Sequence, residues 1–149
     1  ALLEKHCLFG EQILKGRSIS PVVYQHNAKM AQNEHSVFDT AAEAALNHHE
    51  RWDGLGFPNR RARDDIPLVA RIVTICDVFD HLAHRSFPNG TAQDLAKAII
   101  SRGGSELDPE LTQSFVPHMA DFCRLAEELK SKIKSDPRAW LNGLYGVGP

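Results

Sequence analysis

The sequence predicts an all-α domain. Three observations carry this. Apolar residues recur at helical spacing in separate segments, no alternating run is long enough for a strand, and helix-start signals recur along the chain. Leu3, Cys7 and Leu14, with Leu2, Phe9 and Ile13 beside them, form a first helical stripe. It stops at Gly16, a residue suited to the left-handed turn that ends a helix. Ser20-Pro21 is a start signal, a capping hydroxyl followed by a residue whose missing N–H costs nothing there. Polar residues 32–35 break the pattern, and Phe38, Ala41, Ala42, Ala45 and Leu46 predict a helix over 37–49. Residues 50–66 read as a shaped loop, because Gly54, Gly56 and Pro58 fall within five positions. Arg60-Arg61-Ala62-Arg63 and Asp64-Asp65 are expected on its solvated rim. Pro67 opens the most apolar helix, over 68–83. Thr91, with Asp94 three residues on, predicts a capping box, and Asp108-Pro109 repeats the cap-then-proline signal. A last amphipathic helix is predicted over 119–133. The expected organisation is one helical domain over 1–135 and a Gly-rich tail over 136–149 that frays.

Composition narrows the function. With 149 residues, 42% hydrophobic and 24% charged, the chain can close one core. Its 17 basic and 19 acidic residues leave a net charge of −2. That balance argues against a general electrostatic grip on a nucleic acid polymer or an anionic membrane. No apolar run approaches the roughly 18 residues of a membrane span. Three cysteines exclude a disulfide framework and point to a reduced, cytoplasmic setting. The opening Ala1-Leu2-Leu3-Glu4-Lys5 falls mid-pattern, so the expectation is a piece of a longer protein.

Three sets of residues look chemical. His48-His49 are adjacent, so their imidazoles point about 100° apart on a helix and can serve two sides of one metal or two metals. Two half-exposed histidines ending a helix would explain the same pair, but the Gly-bearing loop starts directly after it. Asp77 sits in Ile72-Val73-Thr74-Ile75-Cys76-Asp77-Val78-Phe79-Asp80, where a carboxylate among core-type side chains needs a partner or a cation. The alternative places Asp77, Asp80, His81 and His84 together on an outer helix face. His6 lies in the first helix beside Cys7, and taken alone it is an ordinary helical histidine. No Cys-x-x-Cys, P-loop or Gly-x-Ser-x-Gly is present.

Together these pieces resemble one family. His48-His49-Glu50-Arg51-Trp52-Asp53-Gly54-Leu55-Gly56-Phe57-Pro58 is similar to the His-His-Glu-x-x-Asp-Gly-x-Gly-Tyr-Pro signature of HD-GYP domains, the bacterial cyclic di-GMP phosphodiesterases of the HD hydrolase superfamily. The match runs on through Ile66-Pro67-Leu68 and Ala70-Arg71-Ile72 to Asp77-Val78-Phe79-Asp80. Upstream, Lys5-His6-Cys7 with Gly10 and Ile13-Leu14 resembles the family's His-Thr-x-x-Gly-x-x-Ile-Leu helix. Downstream, Leu107-Asp108-Pro109-Glu110-Leu111 resembles its Phe-Asp-Pro-x-Leu stop. The resemblance implies an HD-superfamily helical bundle. It implies metal ligands at His6, His48, His49 and Asp77, and two divalent ions, iron or manganese ahead of zinc. Gly56, Phe57 and Pro58 would shape the substrate wall, and Arg85 would stand for the phosphate-binding arginine. Glu50 and Asp80 would support the ligands, Asp80 by orienting one of them or by pairing with Arg71 or Arg85. The catalytic proton-transfer group stays unassigned. The implied partners are a cyclic dinucleotide and a diguanylate-cyclase-type protein, with a homodimer among the assemblies allowed.

The departures are specific. The His-Asp pair that names the family is not among the given residues: either the part that carries it precedes them or the protein lacks it. Phe57 stands for the signature Tyr, and Cys7 for the Thr after the ligand His. His48 lies 42 positions after His6, more than the family's usual spacing, which predicts an insertion over 22–36. After Asp80 the chain reads His81-Leu82-Ala83-His84-Arg85-Ser86-Phe87-Pro88, one residue short of the family's clamp region. The expected function is a metal-dependent phosphodiesterase acting on cyclic di-GMP or a related cyclic dinucleotide. The alternatives are a degenerate module that docks a partner or senses a ligand, and another HD-superfamily phosphohydrolase.

Overall fold

The structure is a computed structural model, and it describes residues 2–16, 37–87 and 89–135. The expected insertion over 22–36, the Ser20-Pro21 start and the tail over 136–149 lie outside these. Helix α1 spans Leu2–Leu14 and α2 spans Val37–Asn47. Helix α3 spans Leu68–His81 and runs into a π-helical turn, Leu82–Ser86. Helix α4 spans Ala92–Ile100, α5 Pro109–Phe115 and α6 Met119–Ser135. Two short 3-10 turns, Arg63–Asp65 and Val116–His118, complete the order. The described residues contain no strand, only one isolated bridge between Gly103 and Leu107.

The boundaries follow local chemistry. Gly16 takes φ +69° just after α1, a conformation that costs glycine little. Thr91 Oγ1 accepts the Asp94 N–H while the Asp94 carboxylate accepts the Thr91 N–H, so the capping box forms as its spacing predicts. Asp108 caps α5, its Oδ1 accepting the N–H groups of Glu110 and Leu111 at 2.8 and 3.2 Å. The α3 pattern stops at His81, two residues before the expected end, because the next five residues wind as a π turn.

Two packed regions result. The larger core joins α3 to α4, α5 and α6 through Ile75, Phe79, Leu82, Leu95, Ile99, Leu107 and Met119. Phe115 stacks on Phe122 at 4.2 Å between centroids, and both rings lie 5.9 Å from Phe79. The smaller region joins α1 to α2, where Cys7 and Ala42 are fully buried. A Cβ at Gly10 would sit 3.1 Å from Ala45 Cβ, so glycine there lets the two helices approach closely. Thr74 Oγ1 lies 2.8 Å from the carbonyl oxygens of both Ala70 and His48, sharing its proton between them and linking α3 to the end of α2.

A buried ion pair ties α3 to α5. Arg71 Nη1 donates to Asp108 Oδ2 at 2.7 Å, with the Asp108 side chain 4% exposed. The same nitrogen also meets Asp64, whose side chain is 85% exposed. Asp108 thus serves as helix cap and as partner of a sequestered guanidinium. Asp108→Ala is expected to cost about 2–4 kcal/mol in urea denaturation. Asp64→Ala, removing an exposed partner, is expected to cost less than about 1 kcal/mol.

Candidate metal centre

The end of α2, the start of α1 and the middle of α3 meet at one place. His6 Nε2 lies 3.3 Å from His48 Nε2, and Cys7 Sγ lies 3.6 Å from His6 Nε2. The His49 ring centroid is 4.2 Å from that of His48 and 5.0 Å from that of His6. One donor atom from each of His6, Cys7, His48 and His49 falls within 4.8 Å of all the others. His48 Nδ1 faces the carbonyl oxygens of Ala44 and Ala45 at 3.1 and 3.0 Å. Carbonyls only accept, so Nδ1 carries the proton and Nε2 keeps its lone pair toward His6.

Electrostatics favour the coordinating form of His49. Burial pushes its imidazole below the ordinary histidine value, and His48 and His6 beside it push the same way. Asp77 opposes them, which places its charge within reach of this ring. A neutral imidazole is the form that binds a metal. The donor set, three imidazoles with a thiol and a nearby carboxylate, fits a divalent ion. Burial raises the Cys7 thiol above its usual value, a backbone hydrogen bond lowers it and Glu50 raises it further.

Residues 50–66 fold back over the histidines. Glu50 is 1% exposed, and its two carboxylate oxygens accept the N–H groups of Asn59 at 2.7 Å and Arg61 at 3.0 Å. Gly56 lies so close to the preceding chain that a Cβ there would meet Arg51 N at 2.4 Å and Glu50 Cα and His49 O at 2.6 Å. No side chain fits that space. Phe57 N–H donates to His49 O at 3.1 Å, and the Phe57 ring lies 4.8 Å from the His49 ring. Asp53 accepts both Arg51 Nη2 at 2.6 Å and Arg51 Nε at 3.0 Å, and also the Leu55 N–H. The Arg51 hydrogen bond holds the Asp53 carboxyl below its usual range.

A cavity of about 270 Å³ opens between this loop and α3. His48, His49, Gly56, Phe57, Thr74 and Asp77 line it, with Arg51, Leu55 and Glu106. Asp77 is exposed on its wall, three residues from Thr74, so one face of α3 looks into it. The structure therefore brings His6, His48, His49 and Asp77 into one region.

Other expected positions do not line this cavity. Among the described residues Asp80 pairs with His84 and not with Arg71 or Arg85. Its carboxylate meets His84 Nδ1 at 3.1 Å, with the Asp80 side chain 73% exposed. Asp80 and His84 line a different cavity of about 630 Å³, walled by Phe79, Phe122, Leu125 and Leu129. That cavity is larger but mostly hydrocarbon, and the clustered donor atoms lie at the other one. Arg71 is engaged by Asp108 and Asp64. Arg85 sits exposed in the π turn and does not line the histidine cavity. Pro58 is also off the cavity wall, on the stretch that Glu50 holds through Asn59. Two residues went unassigned in the sequence. Arg51 is the guanidinium that lines the cavity, and its place beside the signature glutamate was the available signal. Cys7 was visible only as a departure from the family pattern.

The HD domain family model matches residues 16–111. Among curated relatives, a 3'3'-cGAMP-specific phosphodiesterase 2 of Vibrio cholerae is 31% identical over 131 residues, covering 87% of this chain and 22% of that protein. A cyclic di-GMP phosphodiesterase of Vibrio cholerae is 38% identical over 97 residues, covering 64% of this chain and 20% of that protein. The chain thus spans about a fifth of the length of these relatives. A crystal structure of a cyclic GMP-AMP specific phosphodiesterase of V. cholerae superposes with a TM-score of 0.55 at 21% identity, over 96% of this chain and 25% of that one. That likeness concerns the fold.

The loop depends on Glu50 keeping two acceptor oxygens. Glu50→Gln turns one of them into a donor facing a backbone N–H. We expect a loss of about 1–3 kcal/mol in chemical denaturation. The exposed Glu43→Gln is expected to stay within about 0.5 kcal/mol of the parent protein.

Proposed function

The chain belongs to the HD domain family and its HD-GYP group, and on that premise we propose that it forms the metal-binding part of a bacterial cyclic-dinucleotide phosphodiesterase. The single observation that carries the reading is the convergence of His6, His48 and His49 beside a cavity walled by Asp77. The named activities of the relatives support the substrate class.

His6, His48, His49 and Asp77 would hold the metal, and two divalent ions are the number we propose. Bound there, such ions supply Lewis-acid polarisation of a phosphodiester and activation of water. The protein's own contribution is positional. Ala44 and Ala45 fix the His48 tautomer, as a partner on the far nitrogen of a ligating histidine does. Phe57 N–H anchors the carbonyl of His49, and the Phe57 ring covers one side of its imidazole. In the cavity, Arg51 offers the cationic edge for a phosphate that Arg85 was expected to offer, with Asp53 fixing its guanidinium in place. Gly56 and Phe57 would form the substrate-facing wall.

Two further readings follow. The three cysteines are free, which fits a cytoplasmic protein acting on a cytoplasmic messenger. No described helix is long and apolar enough to cross a membrane. Leu55 is 77% exposed on the Gly-bearing loop, which supports docking of a diguanylate-cyclase-type partner there.

Metal analysis of the full-length protein, with hydrolysis assays on cyclic di-GMP and 3'3'-cGAMP, tests the reading. Asp77→Ala is expected to lower metal content and abolish hydrolysis while far-UV circular dichroism stays unchanged. Asp80→Ala, beside the other cavity, is expected to leave both near the parent values. Equal metal content in both variants would remove Asp77 from the site. Loss of metal in Asp80→Ala alone would show that the register carried over from the family is wrong by one turn.

A further inference from the structure

We propose that Cys7 is itself a metal ligand, so that His6, Cys7 and His48 form three corners of a tetrahedral site that selects a thiophilic ion. This rests on the metal-binding reading above and extends it to a residue the family pattern does not use.

The distances carry the inference. A tetrahedral ion with metal–nitrogen bonds of about 2.0–2.1 Å holds two nitrogens about 3.3–3.4 Å apart. With a metal–sulfur bond of about 2.3 Å, a nitrogen and a sulfur stand about 3.5–3.6 Å apart. The structure has His6 Nε2 and His48 Nε2 at 3.3 Å, and Cys7 Sγ and His6 Nε2 at 3.6 Å. An octahedral ion with the same nitrogen bonds would draw neighbouring nitrogens to about 2.8–3.0 Å. Both distances match tetrahedral edges, and the third donor pair, Cys7 and His48, falls within 4.8 Å.

Burial and chemistry agree. Cys7 is 0% exposed, on the α1 face that packs against α2, and its sulfur is aimed at the histidine nitrogens rather than into hydrocarbon alone. A threonine hydroxyl at the same place would be a hard, weak donor. A thiol that coordinates loses its proton to water as the metal–sulfur bond forms, so the step needs no oxidant or reductant. His49, whose donor atom falls within the same 4.8 Å cluster, is free to complete this ion or to serve a second one with Asp77. A thiolate in the set shifts preference toward zinc or iron and away from manganese, which favours oxygen donors.

Cobalt titration of the full chain, stripped of metal, tests this without reference to turnover. The expected spectrum shows intense visible bands of tetrahedral cobalt and a near-ultraviolet thiolate-to-cobalt charge-transfer band. Cys7→Ser should abolish the charge-transfer band and weaken cobalt and zinc binding by more than about 10-fold, with manganese binding changed far less. Cys76→Ser and Cys123→Ser should keep the band. These two variants decide the sulfur even if Cys7→Ser fails to fold, because the band must survive the loss of both other thiols together. Cobalt bound without a charge-transfer band would overturn the Cys7 assignment and leave the histidine site standing. A band that disappears with Cys76 or Cys123 would overturn it as well. No cobalt binding at all would remove the metal-binding reading, and this inference with it.

Discussion

Glu50 places its two carboxylate oxygens under the Gly-bearing loop, one on the Asn59 N–H and one on the Arg61 N–H. A carboxylate this deeply buried is costly unless such donors surround it, so the loop and the carboxylate stabilise each other. From that anchor the chain has one way back. Gly56 passes against the backbone of His49, Glu50 and Arg51, and Phe57 closes over the His49 ring. The cavity wall, the orientation of His49 and the position of Arg51 all depend on this closure. On the other side, the Thr74 hydroxyl binds the His48 carbonyl and fixes how α3 presents Asp77.

The fold was largely legible because its determinants are local. Thr91 with Asp94, and Asp108 with Pro109, announce helix starts whose capping bonds need only a few residues to form. Gly16 marks the end of α1 for the same reason. What the pattern could not show was the fate of residues 82–86. Leu82 is apolar and in register, so an α-helix and a π turn look alike in periodicity. The second role of Asp108, toward Arg71 across 37 positions, is also invisible to local reading.

The site was legible where a family motif placed it. His6 and the His48-His49 pair belong to separate segments, and periodicity alone offered a surface explanation for each. The structure supplies the missing fact, a shared centre. Asp77 and Asp80 show the limit most clearly. Three positions apart on α3, they look interchangeable in sequence, yet Asp77 lies on the wall of the histidine cavity and Asp80 pairs with His84 beside a different one. Arg85 lies in the π turn and is not among the residues that line this cavity. Arg51 was overlooked although it directly follows the signature Glu50, the one sequence signal that it lines the cavity.

The central claim is that the histidines at the α1–α2 junction hold a divalent metal. Anomalous diffraction from crystals of the metal-loaded protein tests it most directly. The account predicts a peak within bonding distance of both His6 Nε2 and His48 Nε2, bordering the cavity that Asp77 lines. A metal-loaded crystal with no anomalous peak there, or with its only peak beside Asp80 and His84, would contradict it.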